Sequence, residues 1–293
     1  MRPFHLPLLL LPVAAGACRS AGPLEDFARS ADGVPIAYDV RGRGGTALVF
    51  VHGWCGDRAQ WRNQVDEFSS DHTVVTLDLG GHGASGANRK TWDFDALAGD
   101  VVAVVDRLEL PGVILVGHSM GGPVCLLAAA RMPGRVIAVV GVDTLHASEF
   151  ETPTAWLEET ARSLEADFRG SLRNFVGTMF EEGADPSLPE WVCARAERTD
   201  RTAAFALLRA FAKYDAKAAL AGAKVPVRCI NAAEKPPRRV ATTVATNRKY
   251  ADFDAVFLDR VGHFPHLERP REFNAAFRGV ILQIEGEAAR RRP

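Results

Sequence analysis

Apolar positions follow two rhythms along this chain. Short unbroken apolar runs, rich in β-branched residues, occupy residues 46–51, 73–78, 113–116, 136–142 and 225–230. Residues 34–40 alternate instead, and 255–258 is a shorter apolar run. Between these lie stretches at 58–68, 95–108, 120–131, around 240–250 and from 271, where apolar residues return at helical spacing. An unbroken run suits a strand covered on both faces, because successive side chains point to opposite sides of a sheet. Strands alternating with helices predict a mostly parallel central sheet of about eight strands with helices on both sides, an α/β fold. The pair near 24–41 reads as an antiparallel edge.

One segment breaks the rhythm. From Asp143 to Val225 no run reads as a strand, and helical spacing occupies 155–168, 171–180, 189–198 and 202–220. Pro153, Gly170 and the run EGADPSLP punctuate it. A helical insert at one strand end predicts a cap over the C-terminal edge of the sheet, where open parallel sheets bind ligands. The expected organisation is a leader at 1–17, core at 18–143, a helical cap at 144–213 and the remaining core at 214–293.

The leader changes where the protein is expected to work. Arg2 precedes a short apolar stretch broken by Pro7 and Pro12, followed by small residues at 15–17. That is the pattern of an export signal, and the stretch is too short to span a bilayer. The run VAAGAC ending at Cys18 resembles a bacterial lipobox, with Ala15 standing where leucine is usual. The resemblance implies lipidation of Cys18 and an exported protein, periplasmic or anchored by its lipid. Arg19 lacks the aspartate that often retains lipoproteins in the inner membrane, which favours the outer membrane of a bacterium. Cys55, Cys125, Cys193 and Cys229 would remain, an even number that permits disulfides. Cys125 and Cys229 sit in an apolar helix and strand, where cysteine acts as a small buried hydrophobe. No pair has metal-ligand spacing, so no metal or cofactor is expected. With 35 basic and 36 acidic residues the chain offers no footprint for nucleic acid.

The chemistry starts at LVGHSMGG. Gly117-His118-Ser119-Met120-Gly121 is G-x-S-x-G with a predicted strand before it and a predicted helix after it. A sharp strand-to-helix turn raises the serine hydroxyl above the sheet, at a helix N-terminus that favours developing negative charge. A serine needs a base to become nucleophilic. Of eight histidines, His263 in VGHFPH follows the last predicted strand by a short loop, where it can reach back over Ser119. His52, His82 and His118 lie in glycine-rich turns and read as loop-holding residues. His266 reads as packing at the start of the last helix.

FVHGWCGD, DLGGHGASG, GHSMGG and GHFPHLERP, in this order, resemble the α/β-hydrolase fold superfamily over nearly the whole chain from about residue 24. The resemblance implies a serine esterase or lipase-like protein with a helical cap. It makes Ser119 the nucleophile and His263 the general base. It makes the backbone N–H groups of Trp54 and Met120 the oxyanion hole. The acid departs from the commonest pattern. Glu234, in NAAEKPP, stands at the usual offset but in an unusual loop; Asp143 ends the apolar strand 136–142, a second location used in the superfamily. Asp143 is favoured and Glu234 is the alternative. These groups imply acyl transfer to water through an acyl-serine, on a small-molecule, apolar, ester-like substrate. Carbon–carbon bond hydrolysis, perhydrolysis, or slow-turnover ligand reception by the same fold are the alternatives. A serine at this position argues against epoxide hydrolase or dehalogenase chemistry, which uses aspartate there.

Overall fold

The computed structural model describes residues 26–146, 148–149, 154–233 and 238–291. The leader, Cys18 and Glu234 lie outside the described residues. Eight strands form one sheet: β1 (Asp26–Arg29), β2 (Pro35–Arg41), β3 (Ala47–Val51), β4 (Val74–Leu77), β5 (Val113–His118), β6 (Val136–Val142), β7 (Val227–Ala232) and β8 (Phe253–Leu258). Their order is β1-β2-β4-β3-β5-β6-β7-β8. β2 pairs antiparallel with β1 and β4, and the pairings from β4 through β8 are parallel. The antiparallel edge and the parallel body are as the apolar pattern predicts.

Helices cover both faces, which is why the central strands are apolar at successive positions. α1 (Arg62–Phe68), α2 (Phe94–Arg107) and α3 (Gly121–Arg131) follow strands in the first half of the chain. α8 (Ala216–Ala223), α9 (Arg238–Asn247), α10 (Pro265–Glu268) and α11 (Pro270–Arg291) belong to the second. Val49, Val51 and Leu115 join Leu97 and Val101 of α2, Val124 of α3 and Leu220 of α8 in one core. Leu48, Phe50, Ile114 and Val116 face the other way, against Phe68 of α1 and Phe273, Phe277 and Ile281 of α11. Each such fully buried side chain contributes about 1.5–3 kcal/mol of transfer free energy, so the sheet is held from both sides.

Between β6 and α8 run α4 (Thr154–Ala166), α5 (Phe168–Gly177), α6 (Ser187–Ala196) and α7 (Arg201–Ala210). They build a third core from Leu157, Leu164, Leu172, Val176, Val192 and Leu208, which also takes in Cys55 and Phe264 of the loops at the sheet's C-terminal edge and Leu267 of α10. The helix predicted over 202–220 is two helices. α7 tightens into a 3-10 turn at Phe211–Lys213, and the chain restarts α8 at Asp215. Asp215 is extended (φ −92°, ψ 96°) and its side chain accepts from the Ala218 N–H at 3.0 Å, an N-cap that favours a new helix over continuing the old one. Phe211 and Tyr214 both pack on Phe94, which fixes the break. Among the described residues no helix is long and apolar enough to cross a membrane. Cys55, Cys125, Cys193 and Cys229 are free and buried.

Candidate active site

The site forms where adjacent parallel strands end together. His118 of β5 pairs with Val142 of β6, so the next residues, Ser119 and Asp143, leave neighbouring strands at the same level. The Ser119 N–H donates to the Val142 carbonyl at 3.1 Å, and the Asp143 N–H to the Ile230 carbonyl of β7 at 3.0 Å. Both residues then turn through the left-handed region, Ser119 at φ 51° and Asp143 at φ 43°. Such backbone strain in non-glycine residues costs of order 1–3 kcal/mol and persists only where the surroundings enforce it. Here they do. A Cβ on Gly117 would lie 2.3 Å from the Gly121 carbonyl oxygen, and one on Gly121 would lie 2.5 Å from the Val51 carbonyl oxygen. The glycines of the motif let the turn close against β3, and the Thr144 hydroxyl donates to the Ser119 carbonyl at 2.7 Å.

His263 lies on the loop between β8 and α10. Its Nδ1 donates to Asp143 Oδ2 at 2.6 Å, which leaves Nε2 as the basic nitrogen. Asp143 Oδ1 accepts from the Ala232 N–H at 2.9 Å. Burial raises the Asp143 carboxyl, but the hydrogen bond and charge of His263, with His146 and the Ala232 N–H, outweigh it and hold it below its ordinary range. Glu268 fixes the loop: its carboxylate accepts from the Gly262 N–H at 3.0 Å and the Phe264 N–H at 3.2 Å, on either side of His263.

His118 ties nucleophile to base. Its Nε2 donates to the His263 carbonyl at 2.7 Å. Burial, then the neighbouring imidazoles of His263 and His266, push its pKa well below the ordinary value, so it is a neutral donor. His266 is buried in α10 and stacks on Trp61 with ring centroids 4.5 Å apart.

The turn after β3 carries the first expected oxyanion donor. Gly56 N–H closes it onto the Gly53 carbonyl at 3.0 Å, and Cys55 occupies φ 53°. His52 supports it from below: Nε2 accepts from the Leu79 N–H at 3.0 Å and Nδ1 donates to the Gly53 carbonyl at 2.8 Å. Burial pushes His52 down to about 4, so this neutral tautomer holds at ordinary pH. Met120, the second expected donor, sits at the N-terminus of α3. Neither the Trp54 nor the Met120 backbone N–H is bonded to another backbone carbonyl among the described residues.

Ser119 and His263 line one cavity of about 190 Å³, roofed by Trp156, Leu172, Phe175, Val176 and Met179 from α4, α5 and the residues just after them. Apart from Ser119, the histidines and Gln60 the lining is largely apolar. The structure thus brings Ser119, His263 and Asp143, with the Trp54 turn, to one place. Sequence reasoning missed the contacts that hold the Trp54 turn from above. The Trp54 indole N–H donates to the Ala204 carbonyl of α7 at 2.8 Å, and Arg195 Nε of α6 reaches both Asp57 oxygens at 2.8 and 2.7 Å. Neither contact has a local signature in the sequence, since the partners lie 150 and 138 residues apart.

Residues 46–182 match the family model described as the alpha/beta hydrolase fold. The chain is 25% identical over 244 residues to a 3-oxoadipate enol-lactonase from Acinetobacter baylyi, covering 81% of this chain and 89% of that one. It is 36% identical over 124 residues, 42% of this chain, to the dihydrolipoyllysine-residue acetyltransferase component of an acetoin cleaving system from Pseudomonas putida; the match spans about a third, 34%, of that relative. Among solved structures, an esterase from Thermogutta terrifontis superposes with a TM-score of 0.77 at 20% identity, covering 89% of this chain and 99% of that one.

Proposed function

The chain belongs to the α/β-hydrolase fold superfamily, and from that premise we propose that it is a serine hydrolase of small to medium carboxylic esters. One observation carries the reading: Ser119, on a strained turn at the strand ends, shares an apolar cavity with His263, whose other nitrogen is bonded to Asp143. In this reading Nε2 of His263 takes the hydroxyl proton as Oγ of Ser119 attacks the ester carbonyl. Asp143 stabilises the imidazolium through Nδ1. The N–H groups of Trp54 and Met120 receive the oxyanion of the tetrahedral intermediate. Collapse of that intermediate expels the alcohol, which takes the proton from Nε2, and leaves an acyl-serine. Water then adds to the acyl carbon, giving its proton to Nε2; the carboxylic acid leaves and Ser119 regains its proton.

Cavity size supports the substrate class. About 190 Å³ lies below the roughly 300–1,000 Å³ of drug-sized ligand sites, so a short acyl group fits and a long one requires the roof to move. The lactonase and esterase likenesses are consistent with an ester, open or cyclic. The test is turnover of p-nitrophenyl esters graded from acetate to decanoate, with a lactone and a carbon–carbon hydrolase substrate alongside. The proposal expects a maximum at short to middle length, abolished in Ser119→Ala. Turnover of the carbon–carbon substrate alone, or full activity in Ser119→Ala, would overturn it.

A further inference from the structure

We propose that the helical insert sets the geometry of the oxyanion turn, and that Arg195 and the Trp54 indole are positioning residues for the reaction. This rests on the ester-hydrolase reading above. The turn at residues 54–57 is bonded to the insert at nearly every side chain. Trp54 Nε1 donates to the Ala204 carbonyl at 2.8 Å. The Cys55 thiol, in the left-handed region, faces the Thr199 hydroxyl. Asp57, only 4% exposed, takes Arg195 Nε on both oxygens at 2.8 and 2.7 Å while capping the following 3-10 turn at the Ala59 N–H, 3.0 Å away. These contacts reach two insert helices and the link between them, and flank the Trp54 backbone N–H.

The same insert also holds the loop of the base. The His263 N–H donates to the Met179 carbonyl at 2.6 Å, and the Glu181 N–H donates to Glu268 at 3.0 Å. Glu268 is the carboxylate that clamps the loop around His263. The oxyanion turn and the base loop come from opposite ends of the chain, and α5 to α7 bond to both. Packing alone would make the insert a roof over the substrate. Hydrogen bonds at these positions give it a second task, because donors must sit where the oxyanion forms and small misplacements are costly.

The insert should therefore affect the transition state more than ground-state binding. Trp54→Phe keeps an aromatic ring of smaller size and deletes the indole N–H. Arg195→Gln removes the charge facing Asp57, and Arg195→Lys restores it. Steady-state kinetics on the smallest ester turned over should show kcat lowered about tenfold or more in Trp54→Phe and Arg195→Gln, a loss in the range that displaced catalytic groups produce. KM should change less than about twofold, the pattern of an interaction made only in the transition state. Affinity for an arylboronate, which forms a tetrahedral adduct on the serine, should fall in parallel, while affinity for the product acid stays level. Arg195→Lys should recover most of kcat. Thermal melts verify that each variant is folded. Wild-type kcat in both variants with only a lowered Tm makes the contacts structural and overturns the proposal, as does a rise in KM alone. A wild-type protein that neither turns over an ester nor binds the boronate overturns the hydrolase reading, and this proposal with it.

Discussion

Nδ1 of His263 and Oδ2 of Asp143 stand 2.6 Å apart, joining a loop near the end of the chain to a strand end 120 residues earlier. A carboxylate there fixes the imidazole tautomer and stabilises its charged form. Asp143→Asn keeps the shape and loses both effects, so kcat should fall by a factor on the order of 10² to 10⁴ with little change in Tm. Steady-state kinetics and a thermal melt read the two quantities separately. Near-wild-type kcat would assign the orienting role to another carboxylate.

How much of this pair was legible in the sequence depends on range. Ser119 was legible because strand, glycines and helix are contiguous, and their sterics are local. Asp143 was legible as a candidate, since it ends an apolar strand at the expected edge. The sequence favoured it over Glu234, but its bond to His263 is a long-range fact that only the fold supplies. The central strands were legible because both faces are covered, leaving unbroken apolar runs at residues 47–51 and 136–142. The restart at Asp215 is a local capping event hidden in a continuous helical pattern. The Arg195–Asp57 pair, 138 residues apart, has no local signature, because either residue suits an exposed helix or turn.

The cavity offers a test of substrate size. Ala196 of α6 is 2% exposed and lines the same space as Ser119. Ala196→Phe should fill part of that space and lower kcat/KM for a hexanoate ester by about tenfold relative to acetate, on the scale of a few misfit methylenes. The ratio of the two substrates in one preparation is the measurement. An unchanged ratio would place the acyl group elsewhere.

Acid should destabilise the fold through its buried histidines. Burial pushes His52 down to about 4, and His82 and His266 to about 3. Against an unfolded value of about 6.5, each group stays neutral in the folded state while the unfolded chain takes up a proton. Stability is therefore present above about pH 6.5 and is lost as pH falls toward the folded values, by up to about 1.4 kcal/mol per pH unit per group. His266 has both ring nitrogens without a hydrogen-bond partner among the described residues. His266→Phe should keep the stack on Trp61 and flatten the decline of Tm between about pH 6.5 and 4. A decline as steep as wild type would remove His266 from the acid response.

The most direct test is to catch the acyl-serine. Mixing the protein with a short p-nitrophenyl ester, quenching in acid during turnover and mapping the peptides by mass should place the acyl group on Ser119. The same experiment on Ser119→Ala should give neither adduct nor turnover. An acyl group found on another side chain, or turnover persisting in Ser119→Ala, would contradict the central claim.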